Sequence, residues 1–298
     1  MTCWRFFVFM TLEKKSPCKV NLLLNILGRR PDGFHQLETV MHPVNLCDTL
    51  TFARTGNGIA LSCSDPALPA NSTNLVYRAA AAFRERAKIS EGVSIHLEKK
   101  IPMAAGLGGG SSNAATTLMA LNELFGLPLT GDQLHEIAAS LGSDIPFFLQ
   151  SQPALATGRG ERIQALDAFP AMRGAAFILI HPGFGISTPW AYQQLVRFPA
   201  ALNGKPGRAV ALIKALQATD LRSASREFYN SLEAPALYKF PMLGIIQEFL
   251  RTNGAVAALM SGSGSTTFGL AESAATAQEI EGKVREKFGP VWTATVAI

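Results

Sequence analysis

The chain of 298 residues lacks the cysteine patterns of metal-binding and disulfide-rich proteins. Its four cysteines, Cys3, Cys18, Cys47 and Cys63, form no CxxC pair, and its five histidines are equally dispersed. Structural zinc sites use closely spaced ligands, and small disulfide-bonded domains are dense in cysteine. The sequence therefore favours neither class, and we expect reduced thiols in a cytoplasmic protein.

Long apolar runs and dense basic stripes are also lacking. A membrane-spanning helix needs about 20 apolar residues, whereas the apolar patch near the start covers only residues 6–10. The formal net charge is +5, but lysines and arginines occur in short pairs and not in the stripe typical of nucleic-acid binders. We therefore expect no membrane and no nucleic-acid partner; the mild positive charge also suits an anionic small substrate.

The length and the order of elements predict two domains. Residues 1–15 are expected to be a disordered extension or the product of a start codon placed upstream of Met10. In a first domain, residues 16–170, we predict strands at 19–27, 48–53, 58–63 and 93–98, and helices at 74–87, 114–125 and 130–141. In a second domain, residues 171–298, we predict strands at 175–180, 255–260, 266–270 and 292–297, and helices at 209–218, 221–232, 243–252 and 274–288. Such an order suits an α+β layer.

A glycine-rich segment between a predicted strand and a predicted helix is the strongest functional signal. It comprises Pro102, Met103, Ala104, Ala105, Gly106, Leu107, Gly108, Gly109, Gly110, Ser111 and Ser112. Glycines let backbone N–H groups turn towards a ligand, and a helix N-terminus favours negative charge. No lysine follows the glycines, so this is not a Walker A loop. The segment predicts phosphate binding, and a flexible loop or a tight strand–helix crossing is the structural alternative.

Two charged residues in apolar surroundings strengthen the phosphate interpretation. Lys19 and Asn21 lie two apart on one face of an apolar strand, where a lysine is costly unless it meets an anion. Asp144 lies among apolar residues just past a helix end, a position that also suits a turn aspartate. Together Lys19 and Asp144 would give the lysine–carboxylate pair that hydroxyl phosphorylation needs.

These segments resemble those of the GHMP small-molecule kinases. The shared motifs are KVNL (19–22), RPDGFH (30–35), GLGGGSSNAA (106–115), GSDIPF (142–147) and AALMSGSG (257–264). The resemblance implies an α+β, two-domain GHMP-kinase fold with the active site in the cleft between the domains. Its N-terminal domain would be ribosomal-S5-domain-2-like, and its C-terminal domain a ferredoxin-like α/β domain. The motifs are most similar to those of members that phosphorylate a cytidine-diphosphate-linked methylerythritol, an isoprenoid precursor.

The resemblance also implies residue roles. Asp144 would accept the proton of the attacking hydroxyl, and Lys19 would orient Asp144 and stabilise the transferred phosphoryl group. Residues 102–112 would bind ATP with Mg²⁺. Asn21 and His35 would contact the substrate, and Phe34 and Tyr192 would stack on cytosine; the structural alternatives are core aromatics and a histidine that completes a turn.

Two positions depart from the family pattern. Ser265 stands where proline is expected after the second glycine loop, and Ser231 replaces an expected aspartate. No metal-binding carboxylate can be assigned, so magnesium would be held by serines, phosphates and water. The implied protein is a monomer or a weak homodimer.

Three other functions stay open at this point. One is another GHMP kinase that acts on homoserine, mevalonate or a sugar. A second is a non-catalytic protein that binds nucleotides or nucleic acid, since fold alone does not fix function. The third is a related decarboxylase that uses ATP and an aspartate.

Overall fold

The computed structural model describes residues 11–218 and 220–298. Its strands are β1 (Thr11–Arg29), β2 (His35–Thr55), β3 (Ile59–Cys63), β4 (Gly92–Glu98), β5 (Ala154–Gly158), β6 (Arg162–Ala165), β7 (Ala176–His181), β8 (Tyr229–Asn230), β9 (Ala257–Met260), β10 (Thr267–Ala271) and β11 (Trp292–Ala297). Its α-helices are α1 (Leu75–Ala87), α2 (Gly109–Leu124), α3 (Gly131–Leu141), α4 (Thr188–Gln194), α5 (Pro199–Leu202), α6 (Arg208–Gln217), α7 (Leu221–Ser225), α8 (Glu233–Lys239), α9 (Pro241–Thr252) and α10 (Ala274–Phe288). Short 3₁₀ turns lie at Pro146–Leu149, Pro170–Met172 and Leu195–Arg197.

The chain divides into two compact units that interleave along the sequence. The first unit contains residues 11–16, Cys47–Lys100 and Gly110–Leu149. The second contains Pro17–Leu46, Ile101–Gly109 and Gln150–Ile298. Both β1 and β2 are long strands that pass from one unit into the other, and so does the glycine-rich segment.

The first unit packs helices against a small sheet. Residues 49–55 of β2 pair with β4 in antiparallel register, and β4 pairs with β3 in parallel register. Helix α1 begins after Asn74, whose side chain accepts the Val76 N–H, and α3 begins with a capping box of Thr130 and Gln133. Helix α2 buries most of its length, which includes apolar residues such as Ala114 and polar ones such as Asn113 and Thr117.

The second unit contains a four-stranded antiparallel sheet in the order β11-β7-β10-β9. Helices α9 and α10 pack on it. Strand β7 is buried on both faces: Ile178 and Ile180 belong to the apolar cluster that includes α9 and α10, whereas Phe177 and Leu179 belong to a second cluster. This explains why the strand predicted at residues 175–180 is apolar throughout. The same unit also pairs residues 37–41 of β2 with β5, β5 with β6, and β1 with β8.

Three local predictions need correction. The expected disordered extension is wrong for residues 11–15, which begin β1; there Lys14 pairs with Glu123 at 2.7 Å and Lys15 donates to Thr49 at 2.9 Å. The remainder of that prediction, residues 1–10, lies outside the described residues. Helix α2 begins at Gly109 and not at residue 114.

The helix predicted at residues 221–232 is also wrong, since α7 ends at Ser225 and β8 follows. Asn230 explains the change. Its backbone pairs with Leu24 of β1, and its amide nitrogen donates to the carbonyls of Met260 and Gly262 at 2.7 and 2.8 Å, so contacts with distant residues hold this segment extended. None of the helices in the described part of the chain combines the length and apolar character that crossing a bilayer requires.

Candidate active site

Lys19 lies on β1 in the second unit and is 2% exposed. Its ammonium donates to Asn21 Oδ1 at 2.6 Å and to the Gly106 carbonyl at 3.0 Å. Its backbone N–H donates to the Leu107 carbonyl at 3.0 Å. The prediction that Lys19 and Asn21 share a face is therefore confirmed, and both the backbone and the side chain of Lys19 contact the glycine-rich segment.

Asn21 is fixed in orientation by a chain of hydrogen bonds. Its amide nitrogen donates to Thr39 Oγ1 at 2.9 Å, and the Thr39 hydroxyl donates in turn to the Leu23 carbonyl. Because the amide nitrogen is occupied on the Thr39 side, the amide oxygen faces Lys19. Asn21 is thus a positioned acceptor for the lysine ammonium.

The two glycine loops, the glycine-rich segment 102–112 and a second loop at 261–264, meet at Gly106. The φ of Gly106 is +77°, which glycine adopts readily. A Cβ at this position would lie 2.0 Å from the Ser261 carbonyl oxygen, so no side chain fits. The Ser261 hydroxyl donates to the Gly106 carbonyl at 3.0 Å, and the Thr266 N–H donates to the Ala105 carbonyl at 3.1 Å. A Cβ at Gly262 would lie 3.3 Å from Lys19 Nζ. Three separately predicted motifs therefore converge within one unit.

Exposure differs along the predicted ATP segment. Ala105, Leu107, Gly109 and Ser112 are buried, Pro102, Gly106, Gly108 and Ser111 are half-buried, and Met103, Ala104 and Gly110 are exposed. The apolar pair Ala105 and Leu107 belongs to the core cluster of the second unit. Buried side chains thus hold the segment in place, whereas core packing does not constrain its exposed residues.

A buried polar network fixes the first turn of α2 in the first unit. Asp48, 0% exposed, accepts from Lys99 Nζ at 2.5 Å, from the Lys100 N–H at 2.7 Å and from Asn113 Nδ2 at 2.9 Å. Asn113 also donates to Ser16 Oγ at 2.9 Å, and the Ser16 and Ser112 hydroxyls lie 2.7 Å apart. Sequence reasoning missed Asp48, although a carboxylate in an apolar strand is the same signal that identified Lys19.

Asp144 lies in the first unit, in the turn between α3 and the 3₁₀ turn Pro146–Leu149, and is half-buried. The turn is closed by the Ile145 N–H, which donates to the Gly142 carbonyl at 3.3 Å. Phe147 and Phe148 next to it are buried, so the backbone on this side of Asp144 is fixed by packing. Because Lys19 and Asp144 belong to different units, their pairing stays a prediction.

Three aromatic residues predicted to contact the base lie in the second unit. The rings of His35 and Tyr192 are 5.0 Å apart and tilted by 37°. Phe34 lies directly before β2 and is 52% exposed. Burial, and then the positive charge of Arg29, lowers the pKa of His35 below its ordinary value. At neutral pH the His35 ring is therefore neutral and has one donor and one acceptor nitrogen.

The two departures from the family pattern have structural partners. Ser265 is buried; its hydroxyl donates to the Phe184 carbonyl and lies 3.3 Å from His181 Nδ1. Ser231 Oγ accepts the Ile26 N–H of β1 at 3.0 Å. Both serines therefore serve the packing of the second unit.

The donor groups near the glycine-rich segment suit a magnesium ion that arrives with a nucleotide. Within the described residues, no three His, Cys, Asp or Glu side chains group together as metal ligands. Magnesium usually binds through one or two protein groups, phosphates and water. The half-buried Ser111 offers one such hydroxyl.

Comparison with known proteins agrees with the motifs. Residues 74–152 match the model of the GHMP kinases N terminal domain, and residues 212–290 match that of the GHMP kinases C terminal domain. A 4-diphosphocytidyl-2-C-methyl-D-erythritol kinase of Citrifermentans bemidjiense is 40% identical, covering 93% of this chain and 96% of that protein. A kinase of the same name from Heliobacterium modesticaldum is 43% identical, covering 92% of this chain and 91% of that protein.

Solved structures show the same relationship. A 4-(cytidine 5'-diphospho)-2C-methyl-D-erythritol kinase superposes with a TM-score of 0.77 at 35% identity, covering 96% of this chain and 100% of that one. A homoserine kinase of Cytophaga hutchinsonii gives a TM-score of 0.76 at 19% identity, covering 100% and 97%. The second likeness concerns the fold alone.

Proposed function

The chain belongs to the 4-diphosphocytidyl-2-C-methyl-D-erythritol kinases, within the GHMP kinase family, and we propose on this basis how its residues perform the reaction. The enzyme transfers the γ-phosphoryl group of ATP to the 2-hydroxyl of 4-diphosphocytidyl-2-C-methyl-D-erythritol, a step of the non-mevalonate isoprenoid pathway. One observation carries the assignment of the site: Lys19, Asn21 and the two glycine loops meet around Gly106.

Asp144 is the proposed general base. It accepts the proton of the 2-hydroxyl as the oxygen attacks the γ-phosphorus, and the bond to the β-phosphate oxygen breaks. Lys19 is proposed to orient Asp144 and to stabilise the negative charge on the transferred group. The bonds of Lys19 to Asn21 and Gly106 support this role, because they fix the ammonium in one position before substrate binds.

Residues 102–112 are proposed to bind the phosphates of ATP. Backbone N–H groups near Gly108 and the N-terminus of α2 would face the phosphate oxygens. Magnesium is proposed to be held by Ser111, the phosphates and water, and it would neutralise charge on the phosphates. The buried Ser112 hydroxyl, which shares a hydrogen bond with Ser16, would support the turn.

The cytosine is proposed to lie against Phe34 and Tyr192, with His35 hydrogen-bonded to its edge and Asn21 near the acceptor sugar. The neutral state of His35 supports this, since a neutral imidazole both donates and accepts. Homoserine, mevalonate or sugar kinase activity, the decarboxylase and a non-catalytic role are not favoured, because the relatives at about 40% identity share one name.

We also propose a cytoplasmic enzyme that is a monomer or a weak homodimer. Among the described residues, Cys18, Cys47 and Cys63 form no disulfide bond, which suits a reducing compartment. Fractionation of cells and sedimentation of the purified protein would test the two statements.

The direct test is product analysis with ATP, magnesium and 4-diphosphocytidyl-2-C-methyl-D-erythritol, in parallel with homoserine and mevalonate. We expect phosphorylation of the cytidine-bearing alcohol and negligible turnover of the other two. Comparable turnover of homoserine would contradict the proposed substrate.

The proposed base is tested by Asp144→Asn. Removal of a general base costs about 10²–10⁴-fold in rate, so kcat should fall by that factor while ATP affinity changes little. Lys19→Met should also lower kcat, and the double variant should be little worse than the poorer single one. Asp132→Asn, an exposed aspartate in the first turn of α3, is the matched control. Near-normal turnover of Asp144→Asn at saturating substrates would refute the role.

A further inference from the structure

The ring of Phe34 is in contact with an arginine for which no role has been assigned above. The guanidinium carbon of Arg159 lies 4.7 Å from the centre of the ring. Phe34 is 52% exposed and the Arg159 side chain 35%, so both groups reach solvent. An arginine placed in this way binds the ring face by cation–π attraction and keeps its N–H groups for another partner.

The backbone at the tip of the β5–β6 hairpin fixes this arginine. Gly158 and Gly160 have φ of +75° and +107°, which glycine adopts without strain. Glu161 folds back across the turn, and its carboxylate accepts the Arg159 N–H at 2.6 Å. A Cβ at Gly158 would lie 2.8 Å from that carboxylate, so the glycine is required for the close approach.

The charge of Glu161 is maintained by this turn. Burial alone would raise the pKa of Glu161, but the N–H groups of Glu161 and Arg159 and the charges of Arg159 and Arg162 lower the pKa below its ordinary value. The Arg159 Nε lies 4.0 Å from Glu161, too far for a hydrogen bond. Glu161 therefore positions the backbone of Arg159 and does not take up its Nε–H.

A second arginine near Phe34 is already paired. Arg30 donates from Nε and a terminal nitrogen to the Asp32 carboxylate at 3.0–3.2 Å. Asp32 also accepts the Phe34 N–H at 3.1 Å. Arg30 thus closes the turn that presents Phe34, whereas Arg159 covers the ring itself.

We propose that Arg159 determines specificity for a nucleoside diphosphate: its guanidinium stacks on Phe34 and binds the diphosphate of the cytidine-bearing substrate. The proposal rests on the proposed function and deepens it. A planar guanidinium matches the geometry of phosphate oxygens and can stack at the same time. If the cytosine stacks on Phe34, the diphosphate of the same substrate comes within reach of the Arg159 guanidinium. A neutral alcohol substrate, which has no diphosphate, does not require this arginine.

The test is calorimetric titration of the whole protein with CDP and with cytidine, for the unchanged protein and for Arg159→Gln, Arg159→Lys and Arg162→Gln. A lost charge-assisted hydrogen bond lowers affinity by about tenfold or more. We expect Arg159→Gln to lose that factor for CDP and only about twofold for cytidine. Arg159→Lys should recover part of the loss for CDP, since it keeps the charge. Arg162→Gln, 75% exposed in the same hairpin, is the control and should bind CDP almost normally.

Three outcomes would overturn the proposal. Equal losses of CDP and cytidine affinity in Arg159→Gln would make Arg159 a support for Phe34 only. Unchanged CDP affinity in Arg159→Gln would remove the residue from the site. If the unchanged protein binds ATP but neither CDP nor cytidine, the proposed function itself fails. A melting curve of each variant identifies loss of folding. If Arg159→Gln does not fold, the ratio of CDP affinity to cytidine affinity in Arg159→Lys tests the proposal instead: an unchanged ratio would overturn it.

Discussion

Each of the two glycine loops is flanked by a carboxylate, the buried Asp48 or the half-buried Glu233, and the two carboxylates differ in their partners. Next to the glycine-rich segment, Asp48 accepts from the Lys100 N–H and from the ammonium of Lys99 at 2.5 Å. Next to the second loop, Glu233 accepts from the Met260 N–H at 2.7 Å and from the amide of Gln247 at 2.6 Å. One carboxylate has a charged partner in hydrogen-bond contact, and the other has neutral ones.

This difference has an electrostatic consequence. Burial raises the pKa of Glu233 to about 7, although its hydrogen bonds and the nearby charge of Arg251 oppose the shift. Asp48 and Lys99 instead form a buried ion pair, and such a pair is costly to break from one side. Removal of one charge of the Asp48–Lys99 pair should therefore lower the stability of the protein strongly. The contribution of Glu233 to stability should instead depend on pH.

The largest effect is expected for Asp48→Asn. Removal of one partner of a buried ion pair typically costs about 3–5 kcal/mol, because the other charge is left uncompensated. The free energy of unfolding, measured by urea denaturation, should fall by about that amount. Glu123→Gln is the control, since its pair with Lys14 is partly exposed and should contribute at most about 1 kcal/mol.

A double variant sharpens this prediction. Adding Lys99→Met to Asp48→Asn removes the unpaired charge, so part of the lost stability should return. The single variant Lys99→Met gives the reference. If the losses of stability in Asp48→Asn and Lys99→Met simply add in the double variant, the ion pair is not the reason for the loss.

A smaller loss is expected for Gly106→Ala, which tests whether the two loops pack as one. The left-handed backbone costs an alanine about 1–2 kcal/mol, and the Cβ would meet the Ser261 carbonyl at 2.0 Å. We expect about 2 kcal/mol or more in the free energy of unfolding. Gly110→Ala in the same segment is the control: its Cβ would meet only Leu75, at 3.7 Å, and should be neutral or slightly stabilising. Similar effects of the two substitutions would mean that the loops are not in close contact.

The smallest effect, taken as a change per pH unit, is expected in the pH dependence that Glu233 contributes. Its pKa is raised on folding, so its contribution to stability is complete below the ordinary pKa of about 4.5 and is lost as pH rises through about 7. The slope is at most about 1.4 kcal/mol per pH unit. Glu233→Gln should flatten the curve of unfolding free energy between pH 5 and 7, relative to the exposed control Glu248→Gln. Parallel curves for Glu233→Gln and the unchanged protein would contradict the assignment.

Local signals in the sequence predicted much of the fold. The apolar strand β7 and the helix α10 are confirmed because each depends on residues close in sequence. The helix expected at residues 221–232 failed because the backbone of Tyr229 and Asn230 pairs with β1, a strand distant in sequence. The pairing of β2 with β5 was also missed, since pairing of distant strands leaves no local pattern.

For the site, the sequence by itself determined which residues are chemically unusual: a lysine on an apolar strand, an aspartate in an apolar turn and two glycine loops. Those properties follow from residue type and local spacing, which the sequence states directly. Only the tertiary structure decided that Lys19 bonds to Gly106, that Asp48 supports α2, and that Arg159 covers Phe34. These contacts join residues 65 to 125 positions apart, and their geometry depends on how the whole chain packs.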